Sequence, residues 1–98
     1  MEDNCGVAKT LKIIGSKWTI LILHSLCNGK MRFGELQREL GSISPKTLSQ
    51  RLKELETEGI LQKKVFAEVP LRVEYSLTKK GISLKKIFDT MDKWGQTQ

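Results

Sequence analysis

Histidine and cysteine are scarce in this sequence, which limits the kinds of functional site it can form. The chain has one histidine, His24, and two cysteines, Cys5 and Cys27, which are too far apart for a C-x-x-C pair. A zinc site and a thioredoxin-like motif are therefore not expected, and both thiols are predicted to be free. The sequence also lacks a glycine-rich phosphate loop and any pattern typical of paired catalytic residues. We predict that the protein is not an enzyme and holds no cofactor or metal.

Long apolar runs are absent as well. The longest, Ile20 to Leu23, is far shorter than the ~20 residues that a membrane-spanning helix needs. The first residues, Met1 to Asn4, do not begin a basic segment followed by an apolar run and a cleavage site, so no secretory signal is expected. These observations predict a cytoplasmic protein with no membrane partner.

The composition that remains is that of one small folded domain spanning residues 1–98. Hydrophobic residues make up 39% of the chain and charged residues 29%, and 17 basic residues against 11 acidic ones give a net charge of +6. This excess favours a polyanionic partner, and a basic surface that only keeps the protein soluble is a fair alternative explanation of the charge. A domain of this size buries a limited core, which a second copy would extend.

The hydrophobic periodicity predicts a mainly α fold with a small β-hairpin (α+β). Asn4, Ser16, Ser44 and Thr78 are suitable N-caps, and Pro45 suits the first position of a helix. The predicted helices are about 4–14, 16–27, 34–40, 45–58 and 79–94, and the predicted strands are 60–67 and 72–77.

A short helix, a four-residue turn (41–44) and a longer helix form a helix-turn-helix (about 34–58), and the hairpin after it (about 60–77) is typical of a wing. In the longer helix Leu48, Leu52 and Leu55 form one narrow stripe, so its other side is polar. Recognition helices contact base edges with their N-terminal half, and here the acidic residues come only in the second half. The predicted DNA-binding residues of this segment are Ser44, Lys46, Thr47, Ser49, Gln50, Arg51 and Lys53.

Basic residues of the hairpin extend this prediction to the wing. Lys64 and Arg72 are the predicted DNA contacts, and Arg72 is favoured because it directly follows the hairpin tip at residues 68–71. One of Lys63 and Lys64 must face the helices or the rim. An edge strand that lysines merely protect from pairing is the alternative.

Three other interpretations of the segment 34–77 stay open. The helix 45–58 could be an ordinary amphipathic surface helix. A winged-helix module that binds protein would carry aromatic or aliphatic anchors on the exposed face, and this face has none. An RNA-binding sheet would carry stacking aromatics, which are missing.

Four stretches make the sequence resemble the HxlR-type regulators, which are related to the MarR family. They are residues 14–18 (IGSKW), 32–36 (RFGEL), 43–55 (ISPKTLSQRLKEL) and 68–78 (EVPLRVEYSLT), and the resemblance covers residues 5–94. It departs from the family pattern at Gly6, where a proline often follows the cysteine, and at Ala67 and Leu71 around the hairpin tip. The resemblance implies a homodimeric repressor or activator, with the first and last helices forming the dimer interface. The partner is predicted to be double-stranded DNA, and the two-fold symmetry of such a dimer predicts an inverted-repeat operator.

The predicted interface residues are apolar residues of those two helices: Val7, Leu11, Ile14, Phe88, Met91 and Trp94. The resemblance also implies that a cysteine near the N-terminus can sense oxidants or electrophiles, which makes Cys5 the candidate. Lys9 and Lys12 and a helix start favour a reactive thiolate, whereas Glu2 and Asp3 oppose it. A purely structural Cys5 is the alternative, and Cys27 is predicted to be a buried small residue. No pattern points to a particular inducer.

Overall fold

The fold is mainly α-helical with a small antiparallel sheet, as predicted. The computed structural model describes residues 5–98, so the predicted cap Asn4 lies outside the described residues. The helices and strands are α1 (Gly6–Ile14), α2 (Lys17–Leu26), β1 (Met31–Arg32), α3 (Phe33–Leu40), α4 (Pro45–Thr57), β2 (Leu61–Phe66), β3 (Arg72–Leu77), α5 (Lys79–Ile82) and α6 (Lys85–Gln96).

Hydroxyl side chains begin three of these helices, as the sequence predicts. The Ser16 hydroxyl accepts a hydrogen bond from the backbone N–H of Thr19 at 3.1 Å, and Ser44 does the same for Thr47 at 3.1 Å, directly before Pro45. Such bonds satisfy N–H groups that have no partner within the helix. At α1 the N-cap position belongs to Cys5, which makes no side-chain capping bond.

The single C-terminal helix predicted at 79–94 is wrong, because the structure has two. The short α5 ends at Ile82 and α6 begins at Lys85. The backbone N–H of Leu84 bonds to the carbonyl of Gly81 at 3.0 Å, and the Ser83 hydroxyl bonds to the carbonyl of Lys80 at 2.5 Å. These short-range bonds close a tight turn in place of a continuous helix, which the apolar spacing alone does not reveal.

A third strand joins the predicted hairpin. The sheet order is β1-β3-β2, and all pairs are antiparallel. Met31 pairs with Tyr75 and Arg32 with Glu74. The sequence predicted only an extended link here, because two residues are too few for an alternating pattern. The pairing attaches the wing to the segment that leads into α3.

The end of α4, the start of β2 and the start of α5 meet at one point, which we call the joint (residues 58–60 and 78–81). The Thr78 hydroxyl lies 2.5 Å from the carbonyl oxygen of Gly59 and 3.0 Å from that of Ile60, and the Thr78 N–H also donates to Ile60 at 3.0 Å. The ammonium of Lys80 donates to the carbonyl of Glu58 at 3.0 Å, where a cation suits a helix C-terminus.

The core lies between the helices and the inner face of the sheet. It includes Ile22 and Leu23 of α2, Leu36 of α3, Leu61 of β2 and the α4 leucines. These contacts fix α3 and α4 relative to the sheet. In the part of the chain that the structure describes, the helices are too short or too polar to cross a membrane.

Candidate nucleic-acid interface

The helix-turn-helix consists of α3, the turn at residues 41–44, and α4. Gly41 adopts a φ of 70°, a conformation that favours glycine, and it lets the chain reverse directly after α3. Leu48, Leu52 and Leu55 are buried, as predicted, and they fix the rotation of α4 about its axis.

The opposite side of α4 is polar and solvent-exposed. Lys46, Ser49, Gln50 and Lys53 are all exposed, so the side chains predicted to reach DNA are available there. These side chains offer hydrogen-bond donors, and they interrupt no apolar packing. We call these four residues the reading face.

Three other predicted residues of this segment are already engaged within the protein. The Ser44 hydroxyl caps α4 and donates to the Thr47 hydroxyl at 2.9 Å. One guanidinium nitrogen of Arg51 lies 3.2 Å from each carboxylate oxygen of Glu54, and the Arg51 side chain is only half-exposed. Contacts of these residues with DNA remain predictions that would require the internal bonds to share or exchange partners.

The register of the hairpin separates its residues onto two faces. Leu61 and Leu77 pair and are buried, so the alternation places Lys63 and its partner Tyr75 on the same inner face. Lys64 and its partner Glu74 lie on the outer face. The prediction that one of the two lysines faces the helices is therefore confirmed, and that residue is Lys63.

Arg72 on the outer face is part of a cluster with Phe66, Glu68 and Glu74. Its guanidinium stacks 3.9 Å from the centroid of the Phe66 ring, and it lies 2.9 Å from the carboxylate of Glu68 and 3.7 Å from that of Glu74. The ammonium of Lys64 lies 5.1 Å from the same ring centroid. Arg72 thus shapes the wing in the free protein, and contacts of Arg72 and Lys64 with DNA stay predictions.

A cleft of about 250 Å³ separates α4 from the inner face of the wing. Its polar lining comprises Ser49, Lys53 and Glu56 of α4 and Lys63 and Tyr75 of the hairpin. Burial raises the pKa of Tyr75, and the carboxylate of Glu56 adds to this rise, so the phenol keeps its proton at neutral pH. The sequence prediction did not include Lys63 among the binding residues. Counting the alternation forward from Leu61 by two residues places Lys63 on the same inner face.

The predicted dimer residues separate into two groups, which corrects the prediction in part. Ile14 and Phe88 are only 4% and 3% exposed and belong to the core of the protomer, so they offer almost no area to a partner. Phe88 packs against His24 in an edge-to-face contact at 6.5 Å. The remaining members are exposed together with one further apolar residue of α6: Val7, Leu11, Ile87, Met91 and Trp94.

Both cysteines are free thiols of intermediate exposure. Cys5 stands at the start of α1, and Cys27 at the end of α2. Burial raises the pKa of Cys27; Lys85 opposes this rise and Asp89 adds to it. Cys27 is thus a poor nucleophile, but it is partly buried against the core and not fully buried as predicted. Among residues 5–98, no group of three histidine, cysteine or acidic side chains could hold a metal ion.

Known proteins are similar to this chain over nearly its whole length. The uncharacterized HTH-type transcriptional regulator YdzF of Bacillus subtilis is 47% identical over 90 residues, covering 91% of this chain and 83% of YdzF. Among solved structures, a protein assigned to the MarR family of transcriptional regulators from Porphyromonas gingivalis W83 has a TM-score of 0.93 and 41% identity. The match covers 98% of this chain and 94% of that one.

The redox regulator HypR in its oxidized form has a TM-score of 0.90 and 40% identity, with coverage of 96% of this chain and 97% of HypR. Residues 13–98 match the family described as HxlR-like helix-turn-helix, whose relatives found here are transcriptional regulators and not enzymes. This chain belongs to the HxlR-like helix-turn-helix family and is a DNA-binding transcriptional regulator of the winged-helix type.

Proposed function

We propose that the protein acts in the cytoplasm as a homodimer that binds an inverted-repeat operator, with one α4 in the major groove of each half-site. The reading face carries this proposal, because it is exposed, free of apolar residues and held by three buried leucines on its other side. A face that bound another protein would be expected to carry apolar anchors. Pro45 has no N–H and the Thr47 N–H donates to the Ser44 hydroxyl, which leaves the N–H of Lys46 at the helix start for a nearby phosphate.

Gln50 and Lys46 are the proposed base-reading residues. A glutamine amide can bind adenine through two hydrogen bonds, and a lysine ammonium can bind the acceptors of guanine. Both side chains are exposed within the first half of α4, where recognition helices meet base edges. Specificity would then depend on these two contacts, whereas phosphate contacts would supply most of the sequence-independent affinity.

The test is selection of tight-binding duplexes from a random pool, followed by affinity measurements on the selected sequence. We expect an inverted repeat whose half-site centres are about 34–36 Å apart, one turn of the duplex. Gln50→Ala and Lys46→Ala should each weaken binding to it by about 1–3 kcal/mol where the contact is bidentate. Lys86→Ala, an exposed lysine of α6, is the control for loss of charge alone. Wild-type affinity in both α4 variants would refute the proposed docking face.

The proposed homodimer is formed by the exposed apolar residues of α1 and α6. Trp94 is 69% exposed and Val7 61%, and large apolar side chains in such clusters are typical of interaction surfaces. A two-fold pairing of these helices would present two copies of α4 to one duplex, which agrees with an inverted repeat. Ile14 and Phe88 would support the interface from within each protomer.

Thiol sensing by Cys5 is the proposed means of regulation. The cysteine is partly exposed at the N-cap of α1, one of the two helices of the proposed interface. The similarity to HypR, a redox regulator, supports this role. Modification or cross-linking of Cys5 would shift α1 against its partner and thereby change the spacing of the two α4 helices. Because a duplex tolerates little error in that spacing, DNA affinity would fall.

A further inference from the structure

We infer that the cleft between α4 and the wing, lined by Ser49, Lys53, Lys63 and Tyr75, binds a phosphate of the DNA backbone. The inference rests on the DNA-binding function proposed above and assigns it a phosphate site. Neither lysine forms an ion pair or a hydrogen bond with another side chain in the described part of the chain, 5–98. Both ammonium groups are therefore available to an external anion.

The geometry of duplex DNA supplies the reason for a phosphate at this place. A sugar-phosphate strand forms the boundary between the major groove and the adjacent minor groove. If α4 lies in the major groove and the wing lies over the neighbouring backbone or minor groove, this strand must pass between them. The cleft of about 250 Å³ is the space between α4 and the inner face of the wing.

The donors around the cleft match a phosphate in charge and hydrogen bonding. Lys53 approaches from α4 and Lys63 from β2, so two cations converge from different elements. Ser49 and the protonated hydroxyl of Tyr75 add neutral donors. Glu56 also lines the cleft and lowers its net formal charge to about +1, from two lysines and one carboxylate. This carboxylate should oppose the anion, which gives the inference a test of opposite sign.

The outer face of the wing is less suited to this task. There the ammonium of Lys64 lies over the Phe66 ring, and the guanidinium of Arg72 is paired with two carboxylates. An anion would have to compete with these internal partners. Lys86, an exposed lysine of α6 outside the cleft lining, separates a contact in the cleft from a general effect of positive charge.

The experiment measures the affinity of the full chain for a mixed-sequence duplex of about 30 base pairs over a range of salt concentrations. Lys63→Ala should reduce the slope of log affinity against log salt by about 0.9 for each bound protomer, and it should weaken binding roughly fivefold to tenfold near 0.1 M salt. Lys86→Ala should cause a clearly smaller change in both quantities. Circular dichroism of the variants checks that each is folded.

Two further variants test the sign of the effect. Glu56→Gln should raise affinity for the same duplex several-fold, because it removes the carboxylate that faces the phosphate. Glu58→Gln makes the same change in charge just beyond the end of α4, away from the cleft lining, and should have a smaller effect. A structural defect in the cleft would not increase affinity, so this outcome separates a binding role from a folding role.

The following outcomes would contradict a phosphate site in the cleft. If Lys63→Ala keeps the wild-type slope and affinity, or if Lys86→Ala reduces them equally, the phosphate is not bound in the cleft. If Glu56→Gln does not strengthen binding more than Glu58→Gln does, the cleft is again refuted. In these cases wild-type protein still binds DNA and the proposed function survives. If the wild type binds no duplex at any salt concentration, the proposed function and the cleft both fail.

Discussion

Gly81→Ala should destabilise the protein through a clash at the joint. A Cβ at this position would overlap the carbonyl oxygen of Ile60 and would lie 3.1 Å from a methyl group of Leu77. The carbonyl is backbone and cannot rotate away. The same oxygen accepts the N–H of Thr78, so relief of the clash would also strain that bond.

The magnitude follows from these contacts. Forcing an extra carbon into a packed site costs about 1–3 kcal/mol, and weakening one hydrogen bond adds about 0.5–1.5 kcal/mol. Replacing glycine by alanine in a helix stabilises the folded state by roughly 0.5–1 kcal/mol, which offsets part of this loss. We therefore expect the free energy of unfolding to fall by about 2 kcal/mol. For a domain of this length, that change lowers Tm by about 8–16 °C.

The assay is thermal unfolding followed by circular dichroism, with all proteins at equal concentration because the proposed dimerisation would make Tm depend on concentration. Gly34→Ala is the matched control. Gly34 is also helical, but a Cβ there would meet only the flexible end of Arg38, at an ordinary distance of 3.7 Å. This control should unfold at the wild-type temperature or a few degrees above it. If Gly81→Ala unfolds no earlier than Gly34→Ala, the close approach at the joint is refuted.

The remaining predictions concern the wing, the dimer and the thiols. Arg72→Ala should lower the free energy of unfolding by about 1–3 kcal/mol, because it removes two partly exposed ion pairs and a cation–π contact. It should also weaken binding to operator and random duplexes alike. Urea unfolding and salt titrations of DNA binding check these effects, and unchanged values in both would refute the role of Arg72. Trp94→Glu should convert a dimer into a folded monomer in sedimentation at micromolar concentration, since the side chain lies outside the protomer core; a stable dimer in this variant would contradict the proposed interface. A diamide-type oxidant should reduce DNA affinity of the wild type at least tenfold, or about 1.4 kcal/mol, and leave Cys5→Ser unaffected. Equal loss of DNA affinity in the oxidised wild type and the oxidised Cys5→Ser variant would make Cys5 structural. In Cys5→Ser, alkylation of Cys27 should be slow and should accelerate as pH rises, because the raised pKa of Cys27 keeps the thiol protonated up to a higher pH.

The sequence was most informative where a single helix determines its own pattern. Leu48, Leu52 and Leu55 form a stripe that can be read from spacing alone, and Ser44 with Pro45 marks the helix start by local chemistry. The polar side of α4 followed directly from these two facts. The helix-turn-helix and its exposed face could therefore be predicted before any tertiary contact was known.

The errors arose where a residue's environment depends on distant parts of the chain. Phe88 and Trp94 look alike in the helical pattern, yet only Phe88 packs against α2, through His24. Met31 belongs to a strand because β3 is beside it, not because of its neighbours in sequence. The ion pairs of Arg72 likewise depend on the hairpin fold, which brings Glu68 and Glu74 to the guanidinium. None of these partners can be inferred from the local pattern.

The hydrogen bonds of the joint should influence which DNA sequences the protein binds. Thr78 and Lys80 fasten the end of α4 to the root of the hairpin, so the distance from the reading face to the wing is set by folding and not by the bound sequence. If the reading face and the wing contact one duplex, as proposed, the groove width and backbone path of that duplex must match the fixed span. The free energy of deforming the DNA is small at base steps that bend easily and larger at stiff ones. Part of the operator preference should therefore lie in base pairs that no side chain touches.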